Sequence, residues 1–193
     1  MALRNRTLAA CALALAFAGG LSACGANQDE IGVEEPAREG LAVNIGGLDY
    51  NVFITRELNL AITPDKDYYE GPPAKPGNNL FGIFILVCNP EEPGKGATIE
   101  SASEFLVTDN QGEEFEPIEL PEDNAFAYNA RELTPGACIP EDGSVAQQGP
   151  TAGSMLLFDC PLENTENRPL ELEITSPPTP EHPSETKRFH LDL

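Results

Sequence analysis

The sequence predicts an all-β fold, a two-sheet antiparallel β-sandwich of roughly seven or eight short strands. Three observations point there. Apolar residues recur with period two in several short segments, as in strands that bury one face. The 193-residue chain holds 18 prolines and 17 glycines. Proline is poorly tolerated inside helices and central strands, so that many in one chain imply short strands joined by loops. No convincing amphipathic helix is present. Hydrophobic residues make up 40% of the chain, enough for a core and too many for a disordered polymer.

The strands are read in order. Leu41, Val43 and Ile45 alternate with Ala42 and Asn44, and Leu48, Tyr50, Val52 and Ile54 continue the pattern beyond Gly46-Gly47. A glycine pair there implies a bulge or a tight bend. Residues 59–79 hold several Pro, Asp and Gly and form a long loop. Leu80 to Cys88 is almost continuously apolar, as in a central strand covered on both faces, and Asn89-Pro90 stops it. Glu104 to Thr108 and Glu114 to Ile118 form a hairpin about Asp109-Asn110-Gln111-Gly112. Residues 121–153 are irregular. Ser154 to Asp159 is a second buried strand, closed by Pro161. Leu170, Leu172 and Ile174 alternate with glutamates, and Phe189, Leu191 and Leu193 alternate with Arg188, His190 and Asp192. Strictly alternating strands belong near sheet edges or carry one wet face.

The N-terminus follows a different logic. Arg4 and Arg6 precede an apolar stretch, Leu8 to Leu21, rich in Ala and Leu. It is shorter than the about 20 apolar residues a membrane helix needs. A basic start, a short apolar middle and a small-residue exit make a secretory signal. The exit, Leu21-Ser22-Ala23-Cys24, resembles the bacterial lipobox. That resemblance implies a diacylglyceryl thioether on Cys24, cleavage before it, and acylation of the new amino group with a chain such as palmitate. Each buried methylene contributes about 0.8 kcal/mol, so two or more chains anchor stably. Residues 1–23 are then a lipoprotein signal peptide, with Cys11 discarded. Residues 24–40 are the lipidated cysteine and a flexible, acidic tether, and 41–193 the sandwich.

The formal charge is −21, from 11 basic and 32 acidic residues. Setting aside Arg4 and Arg6 leaves nine basic against 32 acidic, or −23. Such a surface repels phosphate backbones and disfavours nucleic acid. It also disfavours direct docking on anionic headgroups, so contact with the membrane falls to the anchor.

The order of the segments resembles a known family, the telokin-like, immunoglobulin-fold domains of secreted bacterial lipoproteins. The matching pieces are GLDYNVFITRELN (47–59), FGIFILVCN (81–89), FLVTDNQGEEFEP (105–117), ELTPG (132–136), GSMLLFDCP (153–161) and NRPLELEI (167–174). The resemblance implies an immunoglobulin-like sandwich. It brings no catalytic residues, because the family has no agreed ones.

After loss of Cys11 and acylation of Cys24, Cys88, Cys138 and Cys160 remain. An oxidising compartment permits one disulfide and leaves one odd thiol, with three pairings open. An immunoglobulin-like arrangement runs the Cys88 and Cys160 strands antiparallel in one sheet. The end of the first then lies near the start of the second, which follows the loop holding Cys138. That arrangement favours Cys88–Cys138, then Cys138–Cys160, then Cys88–Cys160. No C-x-x-C is present to suggest thioredoxin-like redox chemistry.

Chemistry finds little footing. Of two histidines, His182 lies in a proline-rich loop and His190 points outward on the last strand. Neither context suits a Ser-His-Asp triad, and no G-x-S-x-G elbow occurs. Cys, His and Met are too few and scattered for a transition-metal site. Two acidic groups bear on calcium: Asp109 to Glu114, which lacks EF-hand spacing, and Asp65, Asp67 and Glu70 beside Tyr68 and Tyr69. A hairpin turn and a solvated loop are the simpler readings. Paired carboxylates could serve glycoside hydrolysis, but aromatics at 7% with no Trp give no sugar platform.

The expectation is therefore a non-enzymatic, cofactor-free module, lipid-anchored on the extracytoplasmic side of the cell membrane. It would bind another protein or an envelope component through loops 63–79 and 121–153. The alternatives are a lipoprotein that binds calcium or a small ligand through acidic loops, and an enzyme of unrecognised type.

Overall fold

The computed structural model describes residues 31–33, 35–179 and 183–193. Twelve strands and three one-turn helices follow in order among them. They are β1 (Ala37–Arg38), β2 (Ala42–Ile45), β3 (Leu48–Glu57), α1 (Asp65–Tyr68), β4 (Asn78–Cys88), β5 (Ile99–Glu100) and β6 (Glu104–Thr108). Then come β7 (Glu114–Phe115), β8 (Glu132–Leu133), β9 (Cys138–Ile139), α2 (Val145–Gln148), β10 (Ser154–Pro161), α3 (Leu162–Thr165), β11 (Leu170–Thr175) and β12 (Thr186–Leu191). One main sheet runs β1-β12-β11-β6-β7 and the other β10-β4-β3-β2, with β9 also paired to β4, and β5 and β8 form a separate two-stranded sheet. Every pairing is antiparallel except β1 with β12. The architecture is the all-β sandwich the alternation predicts.

Alternation decides what each strand buries. Val43, Ile45, Leu48, Tyr50 and Val52 of β2 and β3 join Leu172, Ile174 and Phe189 of the facing sheet in the main core. The long apolar strand β4 serves two cores. Phe81, Ile83, Ile85 and Val87 belong to the main core, whereas Leu80 and Phe84 belong to a second one. That second core lies under the 58–80 connection and the 118–126 stretch, with Leu58, Tyr68, Tyr69, Met155 and Leu157. Tyr68 meets Phe84 and Phe126 edge-to-face, with centroids 4.9 and 4.8 Å apart, the geometry aromatic quadrupoles favour. The connection after β3 is thus a lid over the outer face of the sheet and not a solvated loop.

Gly46-Gly47 is the two-residue turn of the β2–β3 hairpin, with Ile45 opposite Leu48. Both glycines have positive φ, +60° and +91°, as the favoured hairpin turns demand. A Cβ on Gly46 would lie 2.6 Å from Ser176 Oγ, so glycine is needed there for space as well as for φ. The bulge lies further on, between Val52 and Ile54. It re-aims the end of β3 so that Thr55 is buried while Phe53 and Ile54 are exposed.

The tether expected over 24–40 is corrected in its second part. Ala37 is buried and pairs in parallel with Phe189, with Arg38 opposite His190. The Glu39 carboxylate accepts the backbone N–H groups of Thr55 and Asp192, at 3.2 and 3.1 Å. Upstream, Gly32 O accepts Arg188 N–H. Polar, acidic composition reads as linker, yet Glu39 satisfies donors of β3 and of the residue after β12 and holds the segment on the sandwich. The second hairpin strand is likewise shorter than expected, and Ile118 instead bridges to Leu157 of β10.

Candidate functional site

Cys24 and the signal peptide of residues 1–23 lie outside the described residues, as does His182. The other residues expected to matter can be placed one by one.

Cys88 and Cys138 are joined in a disulfide. They are register partners at the pairing of β4 with β9, with Cα atoms 4.1 Å apart. The bond therefore continues the ladder on the side of β4 that β10 occupies further along. Asn89, directly after Cys88, is buried and organises the surrounding loops. Its amide donates to Ala97 O and Leu133 O, both at 3.0 Å, and its Oδ1 accepts Glu91 N–H at 3.1 Å. Among the described cysteines, Cys160 is the free thiol, buried on β10. Burial, with Asp159 adding negative charge beside it, pushes its thiol up to about 12. It is held as the unreactive protonated form.

The acidic groups considered for calcium are already committed. Asp65 is 2% exposed. It pairs with Arg56 Nη2 at 2.7 Å and accepts Asn59 N–H at 2.9 Å, which fastens α1 to the end of β3. Asp67 and Glu70 are exposed and do not converge with it. Asp109 is 5% exposed and accepts four hydrogen bonds. Oδ1 takes the N–H groups of Gln111 and Glu113, at 2.8 and 3.0 Å. Oδ2 takes the side-chain amides of Asn164 and Asn167, at 3.0 and 3.1 Å. Burial raises the carboxyl's pKa, but these four donors outweigh it and hold the group at about 2. The β6–β7 turn is thereby bolted to the α3–β11 connection. Among the described residues, no group of three or more His, Cys, Asp or Glu is placed to hold a metal.

His190 stands on the outward side of β12, with Nε2 3.3 Å from Glu171 Oε1, and Arg188 binds the other oxygen of the same carboxylate at 3.0 Å. Two clefts open at the end of β3. Leu58, Leu60, Pro73 and Ala74 line one, and Thr55, Phe81, Leu162 and Arg168 line the other. Neither lining contains a histidine or a cysteine, so neither joins a nucleophile to its usual base.

Two buried polar features were not singled out from sequence. Lys187 shares the inward parity of Phe189 and Leu191 and is 2% exposed. Its ammonium lies 3.3 Å from Glu185 Oε1, while the other oxygen of that carboxylate accepts Gly46 N–H at 2.9 Å. Counting back by twos from Phe189 would have found it. Tyr50 and Tyr128 clasp Ala102 between them. Tyr50 Oη accepts its N–H at 2.7 Å and Tyr128 Oη donates to its carbonyl at 2.8 Å. Burial pushes Tyr50 up to about 12 against the pull of that N–H, and raises Tyr128 as well. This clasp has no signature in a single sequence.

The chain matches no protein-family model, no curated protein and no solved structure at the level that marks a relationship.

Proposed function

We propose that this chain is a lipoprotein held by acyl chains on Cys24 at the extracytoplasmic face of the cell membrane, where its sandwich is a non-catalytic module for binding protein or envelope components. The observation that carries the reading is Leu21-Ser22-Ala23-Cys24 directly after a short apolar stretch with a basic start. The Cys88–Cys138 bond supports an oxidising compartment. The commitment of Asp65 and Asp109 to internal donors supports a scaffold over a calcium sensor. We also assign the sandwich to the telokin-like, immunoglobulin-fold group on the order of its segments.

The test is expression of the full chain in a bacterium fed an alkyne analogue of palmitate, followed by fractionation and mass spectrometry. The native chain is expected to begin at an acylated Cys24 and to partition with membranes, and Cys24→Ala to lose label and membrane association. Retention of residues 1–23, or an unmodified sulfur at position 24, refutes the proposal.

A further inference from the structure

We propose that the outer edge of β2 is a strand-pairing surface, which takes an extended, basic segment of a partner protein as a fifth strand on the β10-β4-β3-β2 sheet. The inference rests on the binding-module reading above and names its surface.

The two main sheets end in four edges, and three are covered or guarded. Beyond β10, Ile118 N–H reaches Leu157 O, and Tyr128 N–H and Phe126 O bond to Met155. The edges β1 and β7 are two residues each and carry or adjoin charge, at Arg38 and Glu39 and at Glu114. β2 differs from all three. Residues 41–47, LAVNIGG, hold no charge and no proline, the usual guards of an edge.

Among the described residues its backbone is unpaired on that side. A two-residue turn closes on a hydrogen-bonded pair, here Ile45 with Leu48. The ladder then alternates, so Val43 bonds to Tyr50 while Ala42 and Asn44 turn their N–H and C=O groups outward. Among the described residues nothing bonds to those groups. Ala42 and Asn44 are exposed, and Leu41 is 43% exposed at the start of the strand. Strand addition takes affinity from such main-chain groups and specificity from alternate side chains.

Charge selects the occupant. Without its signal peptide, each copy carries nine basic against 32 acidic residues, so a second copy would bring another −23 against this one. A segment bearing Lys or Arg is attracted instead.

The probe is a fluorescein-labelled peptide of about eight residues alternating lysine and valine, titrated onto the full chain in detergent and followed by anisotropy. Saturable binding is expected, with slowed amide exchange at Ala42 and Asn44. Ala42→Pro, which removes one outward N–H and no charge, should weaken it about tenfold or more. Ala42→Lys, which keeps the N–H and repels the peptide, should weaken it as well and guards against a misfolded proline variant. A lysine–proline peptide of equal charge should not bind. No binding, equal binding to the native chain and Ala42→Pro, equal binding of the lysine–proline peptide, or sedimentation as a dimer that Ala42→Pro dissociates each overturns the proposal. The mass of Cys24 in the same preparation reports separately on the anchor.

Discussion

Replacing Asp109 tests the claim that the carboxylates of this acidic chain include structural ones. Its two oxygens accept two backbone and two side-chain N–H groups, all within 3.1 Å. A hydrogen bond to a charged group contributes about 1.5–3 kcal/mol net, but four donors on one carboxylate share that stabilisation and water can rescue some of them. A loss of about 3–4 kcal/mol is therefore expected for Asp109→Ala. Asp109→Asn is expected to lose about 2 kcal/mol. Its oxygen can keep the turn N–H groups, but its NH2 then faces the NH2 groups of Asn164 and Asn167, donor against donor. The pH dependence has a definite sign. The folded pKa is lowered from the usual 3.8 to about 2, so the contribution is complete above the unfolded value and is lost as pH falls toward the folded one. Urea denaturation of native, Asn and Ala chains at pH 7 and at about pH 3 measures both effects, and the gap between native and variants should narrow at the lower pH. The reasoning fails if both variants stay within about 0.5 kcal/mol of the native chain at pH 7, or if the gap is the same at both pH values.

Two other perturbations probe the packing. The Cys88–Cys138 bond closes a loop with a sequence separation of 50, for which chain entropy gives about 4 kcal/mol; the double alanine variant should lose about 2–4 kcal/mol, and dithiothreitol should then have no further effect on its midpoint. Tyr50→Phe leaves Ala102 N–H buried without an acceptor, for about 1–2 kcal/mol. Because Tyr50 is raised to about 12, its contribution is present below its unfolded pKa near 10 and fades as pH rises toward 12. Denaturation between pH 8 and about 11.5 should show the native chain and Tyr50→Phe converging.

The strands were legible because one physical rule writes them locally. Burying one face of a strand forces every second residue to be apolar, and β2, β3, β6, β11 and β12 carry that mark. The ends of these elements were less legible. Ala37–Arg38 has too few residues to show a period, and its place beside β12 depends on partners some 150 positions away. Sequence separations of 52 and 26 hide the Ala102 clasp as well, where the residues are ordinary and only the fold brings two tyrosines to one peptide unit. The disulfide was partly legible. The sequence left three pairings open, and the immunoglobulin-like arrangement implied by the resemblance favoured Cys88–Cys138, the pair the structure joins, because it brings the end of the Cys88 strand near the start of the antiparallel Cys160 strand, which follows the loop holding Cys138.

The lid over the second core shows how a local pattern can state a distant requirement. Leu80 and Phe84 lie on the opposite face of β4 from Phe81, Ile83 and Ile85. A strand apolar on both faces needs two covers, and one partner sheet supplies only one. The second had to come from segments that otherwise read as loops, and 59–79 contains the means in Leu60, Tyr68 and Tyr69. Their spacing has no strand period because Tyr68 and Tyr69 close a single helical turn, α1, which the Arg56–Asp65 pair fixes to the sheet, while Leu60 comes from the segment before it. Acids and prolines around them gave the segment the composition of a binding loop. The consequence for function is direct: with its tyrosines and Asp65 turned inward, this loop has little left to offer a partner. If the sandwich is the binding module proposed above, backbone groups left open at a sheet edge are a better candidate than this loop, and among the described residues β2 is the edge with neither a cover nor a charge.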